Sequence, residues 1–149
     1  MSGPFAYLLD TNVVSEMMRP NPEPRVVTCI DAIAEEGIAL ASITVWEILD
    51  SIGRLPPGRR REELAERFQG VLEDLFEDSV LDWAFSDAKV CARVMEEKRR
   101  RGESLDDHLP DAMLAGMALA RGLSLITRNE RDFRNTGVAL IDPWVRSQT

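Results

Sequence analysis

The chain has 149 residues, 44% of them hydrophobic and 30% charged, with a formal net charge of −8. This length is close to the roughly 100–150 residues of a typical single domain, and such a chain buries a full core without staples. The apolar content excludes a disordered chain, and the acidic balance speaks against a simple electrostatic nucleic-acid binder, which carries a basic excess.

The basic residues are nevertheless grouped, at Arg59, Arg60 and Arg61, at Lys98, Arg99, Arg100 and Arg101, and at Arg121, Arg128, Arg131 and Arg134. The plain reading of each group is a solvated helix end, where cations suit the dipole. An acidic surface also predicts a basic protein partner. Cys29 and Cys91 sit in apolar helical segments with no Cys-x-x-Cys spacing, so they read as buried thiols in a reducing compartment. The N-terminal MSGPFAYLLD has no basic region or long apolar run, so it is no signal peptide. No apolar run reaches the ~18 residues of a membrane span. A cytoplasmic protein with no membrane contact is expected.

In chain order, Phe5 to Leu9 reads as a short buried strand ending at Asp10. Thr11 or Asn12 caps a helix through Val13, Val14, Met17 and Met18, which Pro20, Pro22 and Pro24 break. Val26, Val27, Ile30 and Ile33 recur at helical spacing up to Gly37. Ile38 to Ala41 is a second strand. Ser42 or Thr44 caps a third helix with Val45, Ile48, Leu49 and Ile52 as its apolar face and Glu47 near its start. After the Pro56–Pro57–Gly58 break, Arg59 to about Glu77 is an amphipathic helix, giving a helical hairpin. Val80 to Trp83 is a candidate strand. A helix capped by Ser86 or Asp87 runs to Gly102, and Glu103 to His108 is a polar loop. Pro110 opens a helix that ends at Gly122. Leu123 to Ile126 and Val138 to Ile141 are strands, separated by a turn at Thr127 to Asn129 and a short helical piece with Phe133. Strands alternating with helices predict one α/β domain over residues 1–149, layered on a mainly parallel sheet.

The acids fall where such a sheet gathers function, outside the carboxyl ends of its strands. Asp10 ends the first strand, Glu47 follows the second, Asp111 opens the helix before the Leu123 strand, and Asn129 and Asp132 follow that strand. Asp10 comes directly after a buried run, and a buried carboxylate needs a partner or a metal. Acids pressed together repel unless a cation neutralises them. All-oxygen donors favour Mg²⁺ or Mn²⁺ over zinc. Any one of these acids is equally readable as a helix cap or dipole partner.

The stretch Leu9-Asp10-Thr11-Asn12-Val13-Val14-Ser15-Glu16 resembles the opening of PIN-domain ribonucleases, in particular the VapC-type toxins of bacterial toxin–antitoxin pairs. Three more blocks agree in order: Ala41-Ser42-Ile43-Thr44-Val45-Trp46-Glu47-Ile48, then Pro110-Asp111-Ala112-Met113-Leu114-Ala115-Gly116-Met117-Ala118, then Thr127-Arg128-Asn129-Glu130-Arg131-Asp132-Phe133 followed by Asp142-Pro143-Trp144. The resemblance implies a PIN-like three-layer α/β/α sandwich and an acidic site for Mg²⁺ or Mn²⁺. It also implies hydrolysis of RNA phosphodiesters, a homodimer and a cognate antitoxin. Asp10, Glu47 and Asp111 match the family's most dependable acids. The fourth position falls at Asn129, which offers an amide oxygen but no charge, with Asp132 one turn further on. In this reading Asp10 and Asp111 hold the metal, and Glu47 orients or deprotonates the attacking water. Thr11 and Thr127 bond the carboxylates or the phosphate, and Arg128 neutralises substrate charge.

Two other readings compete. A phosphatase of the haloacid-dehalogenase kind also uses a strand-end Asp, but needs a second Asp two residues on, where this chain has Asn12. A catalytically inactive PIN-like scaffold that binds RNA or protein is the rival from another class. His108 reads as an exposed loop residue. Trp46, Trp83 and Trp144 read as core, and Met17 and Met18 as core or partner interface. The apolar faces near Met17, Met18 and the Pro56–Pro57 hairpin suggest a groove for an antitoxin helix.

Overall fold

In the computed structural model, which describes residues 4–103 and 109–145, the apolar runs form five short strands, and the amphipathic stretches form six helices among the described residues. The order is β1 (Tyr7–Leu9), α1 (Thr11–Met17), α2 (Pro24–Ile33), β2 (Ile38–Ala41), α3 (Ser42–Gly53), α4 (Arg59–Leu75), β3 (Val80–Leu81), α5 (Phe85–Arg100), α6 (Leu109–Arg121), β4 (Ser124–Ile126) and β5 (Leu140–Ile141). Short 3₁₀ turns lie at Ala34–Glu36 and Glu130–Phe133. The sheet is entirely parallel with strand order β3-β2-β1-β4-β5. No helix among the described residues is long and apolar enough to cross a membrane.

The strands are nearly continuous apolar runs because both faces of the sheet are covered. Alternate residues go to opposite layers. Leu9, Leu40 and Ile126 face a core built with Val13, Val14, Val26, Ile30, Ile48 and Phe68 from α1 to α4. Leu8, Ala39, Ala41 and Leu125 face the other way, onto Leu114, Ala115, Met117 and Ala118 of α6. Helix α5 lies along α6. The contact is close at Gly116, where a Cβ would fall 2.8 Å from the Cys91 backbone. The sequence of crossovers leaves β1 in the centre. The chain moves to one side for β2 and β3, then returns past β1 for β4 and β5. The crevice of the sheet therefore opens between β1 and β4, at their carboxyl ends.

Several local readings change. The strands are shorter than their apolar runs: Phe5 and Val138 pack without pairing in the ladder. Asp10 itself caps α1, accepting the Thr11 N–H at 2.7 Å, rather than Thr11 or Asn12. Pro24 does not break a helix but starts α2, where its missing N–H is harmless. Ala41 precedes α3 without a side-chain cap, and Ser42 and Thr44 lie within the helix. Ala84 caps α5, with Asp87 reaching back to its N–H at 2.8 Å. Trp46 and Leu49 are 58% and 52% exposed, so neither belongs to the core. Trp144 is buried, and Trp83 is half-buried against the α6 core. Both cysteines are buried thiols outside any disulfide. His108 and most of its loop lie outside the described residues.

Helices α5 and α6 are locked by a charge pair. The Asp87 carboxylate is fully buried and takes two bonds from Arg121, at 3.1 and 2.7 Å. Arg121 also donates to the Asp82 carbonyl at 2.7 Å. It stands at the far end of α6 from Asp111, about 15 Å along the axis, so it does not join Arg128 in one basic patch. Removing one partner of a buried pair strands the other charge. Arg121→Met is expected to lower the unfolding free energy by about 3 kcal/mol in urea denaturation. A loss within ~0.5 kcal/mol, as for ordinary surface substitutions, would show that the pair does not hold the two helices.

Candidate active site

The site forms where β1 and β4 end side by side. The Asp10 N–H bonds the Ile126 carbonyl at 2.9 Å, which places the next residue of each strand, Asp10 and Thr127, in contact across the crevice. Both are buried. Thr127 Oγ1 donates to Asp10 Oδ2 at 2.7 Å, and Asn12 Nδ2 donates to the same oxygen at 3.0 Å. The Thr11 N–H takes Oδ1. The carboxylate is thus fixed by three neutral donors. Glu47, in the second turn of α3 and half-buried, accepts a bond from Thr11 Oγ1 at 2.9 Å. Thr11 therefore ties the two acids together, its N–H on one and its hydroxyl on the other.

Burial raises the Asp10 carboxyl above its ordinary 3.8; the bonds from Thr127, Thr11 and Asn12 oppose this, and the charge of Asp132 adds to it. Burial likewise raises Glu47 above 4.5, opposed by Thr11 and reinforced by the charge of Asp10. No cation is among the groups that shift either acid. Two desolvated carboxylates of like charge lean on each other with no cation among the described residues shifting either, and that is the electrostatic setting of a cation site.

Asp111 lies in the first turn of α6 and is half-buried. Because α6 turns at Gly122 straight into β4, it runs antiparallel to the strands, and Asp111 comes to the same end of the sheet as Asp10. Among the described residues no three His, Cys, Asp or Glu side chains form a metal cluster. Asp10, Glu47 and Asp111 share an end of the sheet without closing into a three-ligand set. The donors at this end are carboxylate oxygens, the ligand type that hard cations such as Mg²⁺ take. Asn129 is exposed, and its N–H donates to Thr127 Oγ1 at 3.0 Å. Asp132, in the 3₁₀ turn, reaches Asp10 through its charge rather than by a bond.

Sequence reasoning gave Asn12 no part in the site, reading it as a possible helix cap and as evidence against a phosphatase. Its amide joins the two strand ends: Nδ2 bonds Asp10, while Oδ1 accepts the Arg128 N–H at 3.1 Å. The signal was its position two residues after a strand-end acid, where a short amide side chain reaches back and across. The Arg128 guanidinium lies over the Trp144 ring, 4.7 Å from its centroid.

Beside the acids runs a groove of about 460 Å³ between α1, α3 and α4. Met18, Ile48, Ile52, Leu55 and Leu64 line it with Arg19, Arg60 and Arg67, and Thr11 and Ser15 lie at its acid-site end. Pro56, Pro57 and Met17 are not among its lining residues.

Comparison with known proteins agrees with this geometry. The family model described as the PIN domain matches residues 7–139. The chain is 36% identical over 137 residues to the plasmid stability protein StbB of Pseudomonas syringae, covering 92% of this chain and 97% of the relative. It is 31% identical to the toxin FitB of Neisseria gonorrhoeae, with the same coverage. It is 30% identical to the VapC ribonuclease Y4jK of Sinorhizobium fredii, covering 92% and 96%. The crystal structure of FitAcB from Neisseria gonorrhoeae superposes with a TM-score of 0.82 at 31% identity, over 94% of this chain and 99% of that one. The matched span runs from β1 through every candidate acid, and on this ground the chain belongs to the PIN-domain family.

Proposed function

We propose that this protein is a Mg²⁺-dependent endoribonuclease and the toxin of a toxin–antitoxin pair, and that its reaction is hydrolysis of RNA phosphodiester bonds. The observation that carries the reading is the buried Asp10 carboxylate, bonded by Thr127 and tied through Thr11 to Glu47 at the switch point of the sheet, with no cation bonded to either acid among the described residues. Relatives named as a VapC ribonuclease and as a tRNA(fMet)-specific endonuclease support the substrate class. The strand-end Asp followed by Asn12 and the family membership together leave no support for a phosphatase.

Asp10 and Asp111 would hold the Mg²⁺, or Mn²⁺, with Asn129 or Asp132 as the fourth contributor. When bound, the metal supplies charge for a phosphate oxygen and lowers the pKa of water. The chain's own residues do the rest. Thr127, Asn12 and the Thr11 N–H keep Asp10 from turning away. Thr11 aims Glu47, which accepts the proton of the attacking water as that oxygen bonds to phosphorus and the P–O ester bond breaks. The raised affinity of Glu47 for protons suits this task. Arg128 offers charge to the RNA.

The Asp10→Asn variant is the decisive one. It is expected to abolish Mg²⁺-dependent cleavage of structured RNA by antitoxin-free protein, a loss of at least 100-fold on the scale of a general acid–base or electrostatic group. It is also expected to stabilise the folded protein without metal. The folded state of the wild type binds the Asp10 proton more tightly than the unfolded chain. Its contribution is therefore favourable below about 3.8 and is lost as pH rises through the raised folded value. The gain from Asp10→Asn should thus grow from pH 4 towards neutrality, and Mg²⁺ should raise the melting temperature of the wild type but not of the variant. Unchanged cleavage by the variant would instead favour the inactive scaffold.

A cognate antitoxin is inferred to seat a segment in the groove between α1, α3 and α4. The DNA-bound VapBC of Salmonella typhimurium is a structural neighbour, at 25% identity and a TM-score of 0.74. The apolar floor suits an amphipathic helix, and Arg19, Arg60 and Arg67 suit acidic residues beside it. Hydrogen exchange should show new protection at α1, α3 and α4 on adding the antitoxin. Unaltered exchange there in a formed complex would place the partner elsewhere.

A homodimer belongs to the same reading. Trp46 and Leu49 are exposed and lie three residues apart on one side of α3, next to Glu47. A second copy of the chain is the inferred cover for them. Trp46→Glu is expected to convert a dimer to a monomer in light scattering, and a dimer of unchanged affinity would exclude this face.

A further inference from the structure

We propose that Trp144 is a positioning residue that holds the Arg128 guanidinium at the rim of the acid site as an anchor for an RNA phosphate. The proposal rests on the nuclease reading and goes beyond it by assigning a substrate-positioning device outside the acids.

The argument starts from what an acidic site needs. Asp10 and Glu47 repel a phosphodiester, and the whole chain carries −8. Some cation must bring the backbone in and keep its own charge free for the substrate. Most basic side chains with a defined contact do not qualify. Arg19, Arg25, Arg54, Arg59, Arg100, Arg101 and Arg121 each pair with a carboxylate. Lys89 lies over the Phe85 ring at 5.5 Å, but it stands near the Asp87–Arg121 pair, away from the acids. Arg128 combines a ring contact with a place beside the acid site. Among the described residues it forms no ion pair. Its side chain rests on an aromatic face, which restrains a guanidinium without cancelling its charge. Glu23, the carboxylate that feels the charge of Arg128, is already bonded by Arg25 at 2.7 Å.

The platform is rigid. Trp144 is only 6% exposed and packs with Leu9, Val13 and Ile126 in the main core. Its N–H donates to Asp142 Oδ1 at 2.8 Å, which fixes the turn after β5. That turn sits at the carboxyl end of the sheet, because β5 pairs with β4 up to Ile126 and Ile141, and the Thr127 N–H bonds the Ile141 carbonyl at 3.0 Å. The Arg128 backbone is held from the other side by Asn12 Oδ1, one side chain from Asp10. Arg128 is thus fixed at both ends, its amide to the acid site and its guanidinium to the ring. A planar, exposed guanidinium held in this way presents its N–H fork to phosphate oxygens.

The test measures binding without cleavage. Antitoxin-free protein in the Asp10→Asn background is titrated with a labelled, mixed-sequence single-stranded RNA at several salt concentrations, by fluorescence anisotropy. One phosphate contact on a single strand contributes about 0.7 to the slope of log K against log salt. Arg128→Ala is expected to weaken binding several-fold and to reduce that slope by about 0.7. Trp144→Leu is expected to do the same, and the double variant to be no worse than Arg128→Ala alone, because the ring acts only through the arginine. Trp144→Phe, which keeps an aromatic face and the core, should retain most of the slope and guards against a folding defect. Three results overturn the proposal. One is an unchanged slope in Arg128→Ala. Another is an equal further loss when Trp144→Leu is added to Arg128→Ala, which marks a merely structural role. The third is no RNA binding by the Asp10→Asn parent, which removes the nuclease reading as well, whereas the first two leave that reading standing.

Discussion

Everything at the functional end of this fold depends on burying one carboxylate, that of Asp10, at the end of the central strand with no cation bonded to it among the described residues. A desolvated acid must be hydrogen-bonded or neutralised. Here three donors reach it from two elements: the Thr11 N–H and Asn12 amide from α1, and the Thr127 hydroxyl from β4. Those bonds oppose the burial without overcoming it, and the carboxyl stays raised. The arrangement requires β1 and β4 to be neighbours, which in turn requires the chain to cross back over β1 before α6 leads into β4.

The same molecule shows the opposite solution at the other end of α6. Asp87 is also fully buried, and it is neutralised outright by two bonds from Arg121. The two acids share a burial class and differ in partner. One is a fastener between α5 and α6, and with the close contact at Gly116 it fixes how α6 lies. The other keeps its charge uncompensated. Fixing α6 matters to the site because its first turn carries Asp111. The stable pair therefore supports the unstable one, as expected where a functional site stores electrostatic strain that the rest of the fold must offset.

How much of this was legible in the sequence follows from what each signal encodes. The alternation of strands and helices, with Gly37 and Gly122 as stops, gave the parallel sandwich because periodicity and stop residues are local. The acids at strand ends were visible for the same reason. Strand ends were overextended at Phe5 and Val138, since an apolar residue beyond the ladder looks like one within it. Trp46 was misassigned because hydrophobicity alone does not give a direction. On α3 it lies about 200° around the helix from Ile48, on the side away from the core. Leu49, about 100° from Ile48, falls at the margin of that face and is exposed. Asn12 was hidden for another reason. Its partners Arg128 and Thr127 are more than a hundred residues away, and a bond of that span belongs to the topology rather than to any window of sequence.

Topology also joins the partner groove to the chemistry. Thr11 lines the groove and donates its hydroxyl to Glu47, while its N–H donates to Asp10. On the reading proposed for this site, an occupant of the groove therefore touches the one residue that holds both acids in register. An inhibitor need not enter the acid site or match the RNA to silence it. A shift of the Thr11 hydroxyl by a fraction of an ångström changes the bond that aims Glu47, and catalytic geometry is sensitive on that scale. Two arginines alongside the groove, Arg60 and Arg67, would meanwhile be covered by an acidic segment, removing charge that RNA needs in a chain with so little to spare. Inhibition by position and inhibition by charge thus follow from the same short stretch of α1.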